Sequence, residues 1–316
     1  MNLRSIELMH LAKCCIASAF PSASYVSIGG STARGTADQF SDLDLTIYHD
    51  SKKNCDQNIE FHNTIVQVQF SLMPRLEDVR RNPWAYRFLT EIKIVKDKND
   101  LLGCVKRDAI KFINSSEGRK KMIHAVQTIV HDRIVAANRF FEAGRFYSST
   151  NAAMGAWSEA AFLYLFLTEG NLSTSRVIPC IQENSNLYRE FQTHASIREC
   201  RANTDFSSVL HRLREYLRAQ EVKAVFDLDP LQERLVEQKN RRYMQLGDPF
   251  NLQWQMYGEA LGLFFDLDNF VPFEYYHARL PEELQRELRG IGFIPLEKSH
   301  LDGLRILSKK MIAMCL

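Results

Sequence analysis

Several features that would settle the class of a protein quickly are missing here. Seven cysteines are present, Cys14, Cys15, Cys55, Cys104, Cys180, Cys200 and Cys315, yet none forms a Cys-x-x-Cys pair and their spacing outlines no disulfide framework. Reduced thiols in a cytoplasmic protein are the expected state, and a structural zinc site is not expected. No apolar run approaches the roughly 20 residues that cross a bilayer, so no membrane partner is expected. Internal repeats and low-complexity tracts are absent, which excludes solenoids and linker-like segments. Strong charge of one sign is also lacking. Lys and Arg number 40 against 38 Asp and Glu, a formal net charge of +2, and no basic stripe stands out, so nucleic acid is not an expected partner.

What remains is an ordinary globular composition, 45% hydrophobic and 25% charged over 316 residues. That is enough for one large or two smaller domains with a real core. The N-terminus needs one decision. Arg4 followed by residues 8–20 loosely imitates a secretory leader, but Glu7, His10 and Lys13 interrupt the apolar run. Leu3, Ile6, Leu8, Leu11, Cys15 and Ile16 suit one broad face of a helix instead.

Patterning divides the chain. In the first third, residues 25–28, 43–48, 64–72 and 91–95 have strand character, with residues 31–37 and 75–81 as short helices. After about residue 101 the period changes to that of helices, over residues 111–142, 152–168, 208–226, 231–246 and 253–265. Gly144, Gly170, Pro179, Pro230 and Pro249 mark turns. The expected fold is therefore α+β, a small sheet with helices over residues 1–110 followed by a mainly helical domain over residues 111–316.

Chemistry concentrates in residues 28–45, IGGSTARGTADQFSDLDL. Gly29, Gly30 and Ser31 follow a strand. Glycines let the backbone turn tightly and approach a ligand, and a helix beginning at Ser31 would aim N–H groups at an anion. Arg34, one turn on, can reach the same phosphates. Asp42 and Asp44 alternate with Leu43 and Leu45 on a strand, so the carboxylates share a face about 7 Å apart. Carboxylates so placed can ligate a pair of Mg²⁺ ions about 3.5–4 Å apart. Taken singly, Gly-Gly-Ser is most often a turn and Asp-x-Asp most often a solvated strand end; their combination is the specific signal.

This combination resembles the signature of the DNA polymerase β-like nucleotidyltransferase superfamily. Its fuller form, GGSTARG…SDLDL, is similar to the bacterial small-molecule branch with aminoglycoside and lincosamide nucleotidyltransferases. The resemblance implies a nucleotidyltransferase fold, Mg²⁺ as cofactor, a nucleoside triphosphate (ATP by default) as donor, and a small hydroxylated acceptor such as an antibiotic, held largely by the helical domain. It implies that Gly30 and Ser31 cradle the phosphates, Arg34 supports the loop or phosphates, Ser41 touches phosphate, and Asp42 and Asp44 hold metal. Related antibiotic-modifying enzymes take a general base from the helical domain. Glu159, on the otherwise small and apolar stretch 156–161, is the candidate here, with Glu142 and Glu169 behind it, although an exposed helix Glu is the plainer reading.

One position departs from the pattern. A third carboxylate is expected on a later strand, and Gln67 occupies it, with Gln69 next on that face. An amide offers a carbonyl ligand without charge. Three readings follow: an enzyme working with two carboxylates, another acid such as Glu91 or Glu159 filling the place, or a silent domain that binds nucleotide or a partner. A toxin-type enzyme acting on RNA or protein is a further alternative. Trp84, Tyr86, Phe88, Tyr147, Trp157, Tyr164 and Phe166 read as packing residues. Lys120, Lys121, Arg241 and Arg242 read as solvated, and His124 and His131 lack metal-ligand spacing. Residues 264–273, with Asp266 and Asp268, fit a pocket or a loop equally.

Overall fold

The alternation Leu43-Asp44-Leu45-Thr46-Ile47 sends every second side chain inward, and in the computed structural model Leu43, Leu45 and Ile47 are buried while Asp44 and Thr46 are half-exposed. The structure describes residues 1–49, 56–197, 205–220, 228–266 and 273–316. It separates into two compact units, Met1–Ala125 and Val126–Leu316.

In the first unit, α1 (Leu3–Ala19) leads to β1 (Tyr25–Ile28), α2 (Gly30–Arg34), β2 (Leu43–His49), β3 (Gln57–Phe61), β4 (Thr64–Leu72), α3 (Leu76–Arg81), β5 (Lys93–Asp97), α4 (Leu101–Ile113) and the start of α5 (Ser116–Glu142). The five strands form one sheet in the order β3-β4-β2-β1-β5. β2 and β4 are parallel, whereas β1 is antiparallel to both β2 and β5, and β3 to β4. The core is built from Leu8, Ala12, Cys15 and Ile16 of α1 with Val26, Ile28, Leu43, Leu45, Ile47, Val66 and Val68 of the central strands.

β3 escaped the sequence reading. It pairs with β4 through a two-residue turn at His62 and Asn63, both at positive φ (47° and 59°). That is the conformation two-residue hairpins favour, but His lacks the usual Asn-Gly signature. The helical face of α1 also differs from expectation. Leu3 and Ile6 are exposed, and the inward face is Ser5, Leu8, Ala12, Cys15 and Ile16. Ser5 turns inward because its hydroxyl accepts from the Ala37 backbone N–H at 3.1 Å. Asn2 caps the same helix, accepting from Ser5 N–H at 2.9 Å and donating to the Ala37 carbonyl at 2.7 Å.

The expected helix over 111–142 is two helices. Ser115 accepts from Gly118 N–H at 3.0 Å and so starts α5 afresh. A Cβ at Gly118 would lie 2.0 Å from the Phe112 carbonyl oxygen, so the break requires glycine. The second unit holds α6 (Phe146–Glu169), α7 (Thr174–Gln182), α8 (Ser185–His194), α9 (Phe206–Ala219), α10 (Pro230–Leu246), α11 (Pro249–Asp266), α12 (Phe273–His277), α13 (Glu282–Ile291) and α14 (Lys298–Ala313). At its centre Trp157 stacks on Phe191 (ring centroids 3.7 Å apart) and meets Trp254 edge-on. Pro179 sits inside α7, where a turn was expected. Proline removes the N–H that would bond the Ser175 carbonyl, and the Asn251 amide donates to that carbonyl instead, at 2.9 Å. Asp268 and most of the segment between Phe264 and Phe273 lie outside the described residues. Among the described residues no helix is long and apolar enough to cross a membrane.

The clamp from α1 to the 35–37 loop gives a stability prediction. Ser5→Ala leaves the buried Ala37 N–H without its acceptor and should destabilise the protein by about 1–3 kcal/mol, read from urea unfolding. A loss under a few tenths of a kcal/mol would show that the loop does not depend on this bond.

Candidate functional site

The corner after β1 is shaped by two glycines against one aspartate. Gly29 N–H donates to the Asp44 carbonyl at 2.9 Å, fixing the loop to β2. Gly30 has φ +58°, and a Cβ there would lie 1.8 Å from Asp44 Oδ2. The Asp44 carboxylate therefore rests directly against the glycine backbone, where no side chain fits. Ser31 follows as the second residue of α2 and is half-exposed. The first-turn N–H groups of a helix have no acceptor within it, so α2 begins with its donors at the corner that Asp44 occupies. α2 lasts five residues, shorter than the expected 31–37, because Gly35 takes the left-handed conformation (φ 81°) and ends it.

Asp42 lies immediately before β2, half-buried, between buried Ser41 and buried Leu43. A tight turn delivers it. Ser41 Oγ accepts from Asp38 N–H at 2.9 Å and donates to Asp38 Oδ1 at 3.1 Å, while Phe40 N–H donates to the same oxygen at 3.0 Å. The Ser41 hydroxyl, expected at phosphate, is engaged in shaping this turn.

Register settles the relation of Gln67 to the carboxylates. In the parallel pair β2–β4, Asp44 is aligned with Gln67, and in the antiparallel pair β3–β4, Gln67 is aligned with Asn58. Side chains in one cross-strand row point to the same face. The row is thus Asp44, Gln67, Asn58: one carboxylate followed by two amides. Asn58 was missed because β3 was missed. Farther along this face the buried Tyr48 hydroxyl shares a 3.0 Å hydrogen bond with Ser27. Burial pushes its phenol pKa up despite hydrogen bonds from Ser27 and Thr46, so it stays protonated.

Arg34 differs from its simplest expectation. Its guanidinium donates to Glu91 at 2.9 Å in a largely buried ion pair, which ties the end of α2 to the segment before β5. Arg34 supports the loop, and Glu91, a candidate substitute for the third carboxylate, has its charge engaged by that arginine.

The donor set suits a divalent cation in part. Asp44 offers hard oxygens beside a corner that only backbone can occupy, Asp42 lies two residues before it in sequence, and Mg²⁺ commonly takes one or two carboxylates and completes its shell from substrate phosphates. Among the described residues no group of three or more His, Cys, Asp or Glu is placed to hold a metal. His124 and His131 are exposed and join no such group.

In the second unit, Glu159 lies on α6 with its carboxylate 3.7 Å from the Arg133 guanidinium and about a quarter exposed. It lines a cavity of about 440 Å³ together with Lys239 and Glu259. Glu169 is paired with Arg176 at 2.8 Å, and Glu142 is exposed. Trp84, Trp157 and Phe166 are buried and Tyr147 packs on Phe273 and His277, as packing residues should.

A comparison with curated proteins found no match. Among solved structures, the chain is similar to a nucleotidyltransferase-like protein from Exiguobacterium sibiricum 255-15, at 13% identity, covering 86% of this chain and 92% of that one, with a TM-score of 0.35. Residues 17–100 match the family model of the nucleotidyltransferase domain, a span that takes in the whole sheet and with it the Gly29–Gly30 corner, Asp42, Asp44 and Gln67.

Proposed function

We propose that this protein transfers a nucleoside monophosphate, AMP from ATP, to a hydroxyl of a small acceptor and releases pyrophosphate. The observation that carries the reading is the contact of Gly30 with the Asp44 carboxylate: it joins an anion-receptive backbone corner to a cation-receptive carboxylate, as a metal-bound triphosphate requires. In this reading the backbone at Gly30 and Ser31 holds the terminal phosphates, and Gly29, bonded to the Asp44 carbonyl, fixes the corner against β2. Asp42 and Asp44 orient the metal-bound triphosphate so that its α-phosphorus faces the acceptor. The bond from the α-phosphorus to the bridging oxygen breaks as the bond to the acceptor oxygen forms. Mg²⁺, when bound, supplies charge neutralisation for the phosphates and the leaving pyrophosphate. Arg34 acts through the loop it braces against Glu91. Resemblance, rather than position, nominates Glu159 to receive the acceptor proton. An antibiotic as acceptor rests on the same resemblance.

Asp44→Asn should keep the fold and lower pyrophosphate release by at least about a hundred-fold, the scale of one lost electrostatic contact to a transition state. Gly30→Ala should weaken MgATP binding at least about ten-fold, a cost of 1.4 kcal/mol, because its Cβ displaces the carboxylate. A pyrophosphate-release assay checks the first and calorimetric titration with MgATP the second, beside thermal melts that verify folding of both variants. Wild-type affinity in a folded Gly30→Ala protein would sink the triphosphate reading.

A silent nucleotide-binding domain is the second reading, favoured by the Asp44–Gln67–Asn58 row. Gln67→Glu separates the two. In a silent domain the added carboxylate should raise Mg²⁺-dependent pyrophosphate release from background. In an enzyme adapted to two carboxylates it should leave turnover unchanged or lower it, since the extra charge rebalances the site. The measurement is pyrophosphate release by both proteins across a panel of hydroxylated acceptors.

A further inference from the structure

The cavity beside Glu159 has a wall whose charges cancel locally. Lys239 Nζ donates to Glu259 Oε1 at 2.6 Å, and Arg133 sits 3.7 Å from Glu159. Two cations therefore face two carboxylates. Burial pushes the Glu259 pKa up, but the Lys239 and Arg214 charges and hydrogen bonds from Lys239 and Gln232 outweigh it and hold the carboxyl below its ordinary range. The Glu259 carboxyl is therefore ionised at neutral pH. The amide wall is internally satisfied as well, since Thr174 Oγ1 donates to Gln255 Oε1 at 3.1 Å.

Asn151, Ser158 and Tyr257 add neutral polar groups, with the Tyr257 hydroxyl donating to Asn151 Oδ1 at 3.0 Å, and the rest of the lining is apolar or bare backbone. Trp254 and Phe162 contribute ring surface. Arg133 approaches α6 closely at Gly155, where a Cβ would lie 2.5 Å from its guanidinium nitrogen. On α11, Gly258 is exposed at the cavity, and a Cβ there would meet nothing within 4 Å. That open face above a helix is room a ligand can fill. The volume, about 440 Å³, lies within the range of small-molecule sites.

We propose that this cavity binds an uncharged, hydroxyl-bearing small molecule with an apolar ring face. A charged ligand would have to compete for a wall charge that already has its partner, and drawing a half-exposed cation away leaves a mostly buried carboxylate uncompensated. A neutral ligand avoids that cost. Its hydroxyls donate to the remaining lone pairs of Glu159 and Glu259, since an ionised carboxylate has about four acceptor sites, and its ring covers Trp254 and the Gly258 backbone. The inference does not rest on nucleotidyl transfer, and its test contains no nucleotide, so either can fail without the other.

Three probes sharing an aromatic ring test it on the full chain by ligand-observed NMR titration: para-nitrophenyl glucoside (neutral), para-nitrophenyl phosphate (anionic) and tyramine (cationic). The glucoside should bind saturably, and at least about ten-fold more tightly than either charged probe. Gly258→Leu plugs the cavity without meeting another atom at Cβ and replaces glycine with a better helix former, so it should fold and lose glucoside binding. Lys239→Met removes the cation from the Glu259 pair and should shift preference towards tyramine. No saturable glucoside binding, binding unchanged in folded Gly258→Leu, or tighter binding of a charged probe by the wild type would each overturn the proposal.

Discussion

A glycine backbone pressed against a carboxylate sets the terms for the first unit. Because Gly30 leaves no room for a Cβ beside Asp44, the loop after β1 must follow β2 at one height and in one orientation. The Gly29 N–H bond to the Asp44 carbonyl holds that height. Everything downstream follows: α2 starts at the carboxylate, Gly35 ends it after five residues, and the chain returns through the Asp38–Ser41 turn to place Asp42 one alternation before Asp44. A side chain at Gly30 would break this chain of placements at its first step.

The supports come from outside the motif. Asn2, the cap of α1, and Ser5 within it hold the Ala37 backbone from its carbonyl and its N–H, while the Arg34–Glu91 pair holds the last residue of α2. The loop between the glycines and the aspartates is therefore held at Arg34 by a largely buried ion pair and at Ala37 by a buried bond to Ser5 and a part-buried bond to Asn2. Such bonds stabilise more than surface pairs because their groups have no water to return to. Under the proposed reading this positioning matters, since a group displaced by about 1 Å would lose much of its electrostatic effect on a phosphate.

How much of this was legible in the sequence depended on the range of the interaction. Strand β4 was read at its observed bounds because nine residues of period two carry their own evidence. β2 was read to within one residue for the same reason. β3 was invisible because its turn uses His62 and Asn63, residues without the glycine that usually announces positive φ. Ser5 was passed over as polar, since what turns it inward is a backbone N–H 32 positions away. That Arg34, expected to support the loop or phosphates, does so by pairing with Glu91 could not be read locally, because the two lie 57 positions apart. The candidate residues Gly29, Gly30, Asp42 and Asp44 were legible as a group because a local motif brings them together. Gln67 was expected beside the aspartates from the resemblance, and the strand register aligns it with Asp44.

That pairing sharpens what an amide at Gln67 means under the proposed reading. The site presents two carboxylates, with an uncharged pair, Gln67 and Asn58, completing the row. Two negative charges repel an incoming triphosphate less than three would, so nucleotide approach depends less on prior neutralisation. The same two charges hold a divalent cation less firmly, so the phosphates must supply more of its shell. Both effects push in one direction: cation and nucleotide are bound most favourably as one complex, at a corner whose glycine backbone admits the phosphates and whose aspartates face the cation. An amide in the third position is then consistent with either turnover or simple binding. What distinguishes those outcomes is whether a group elsewhere accepts the acceptor's proton, because an amide has no basic site to do so.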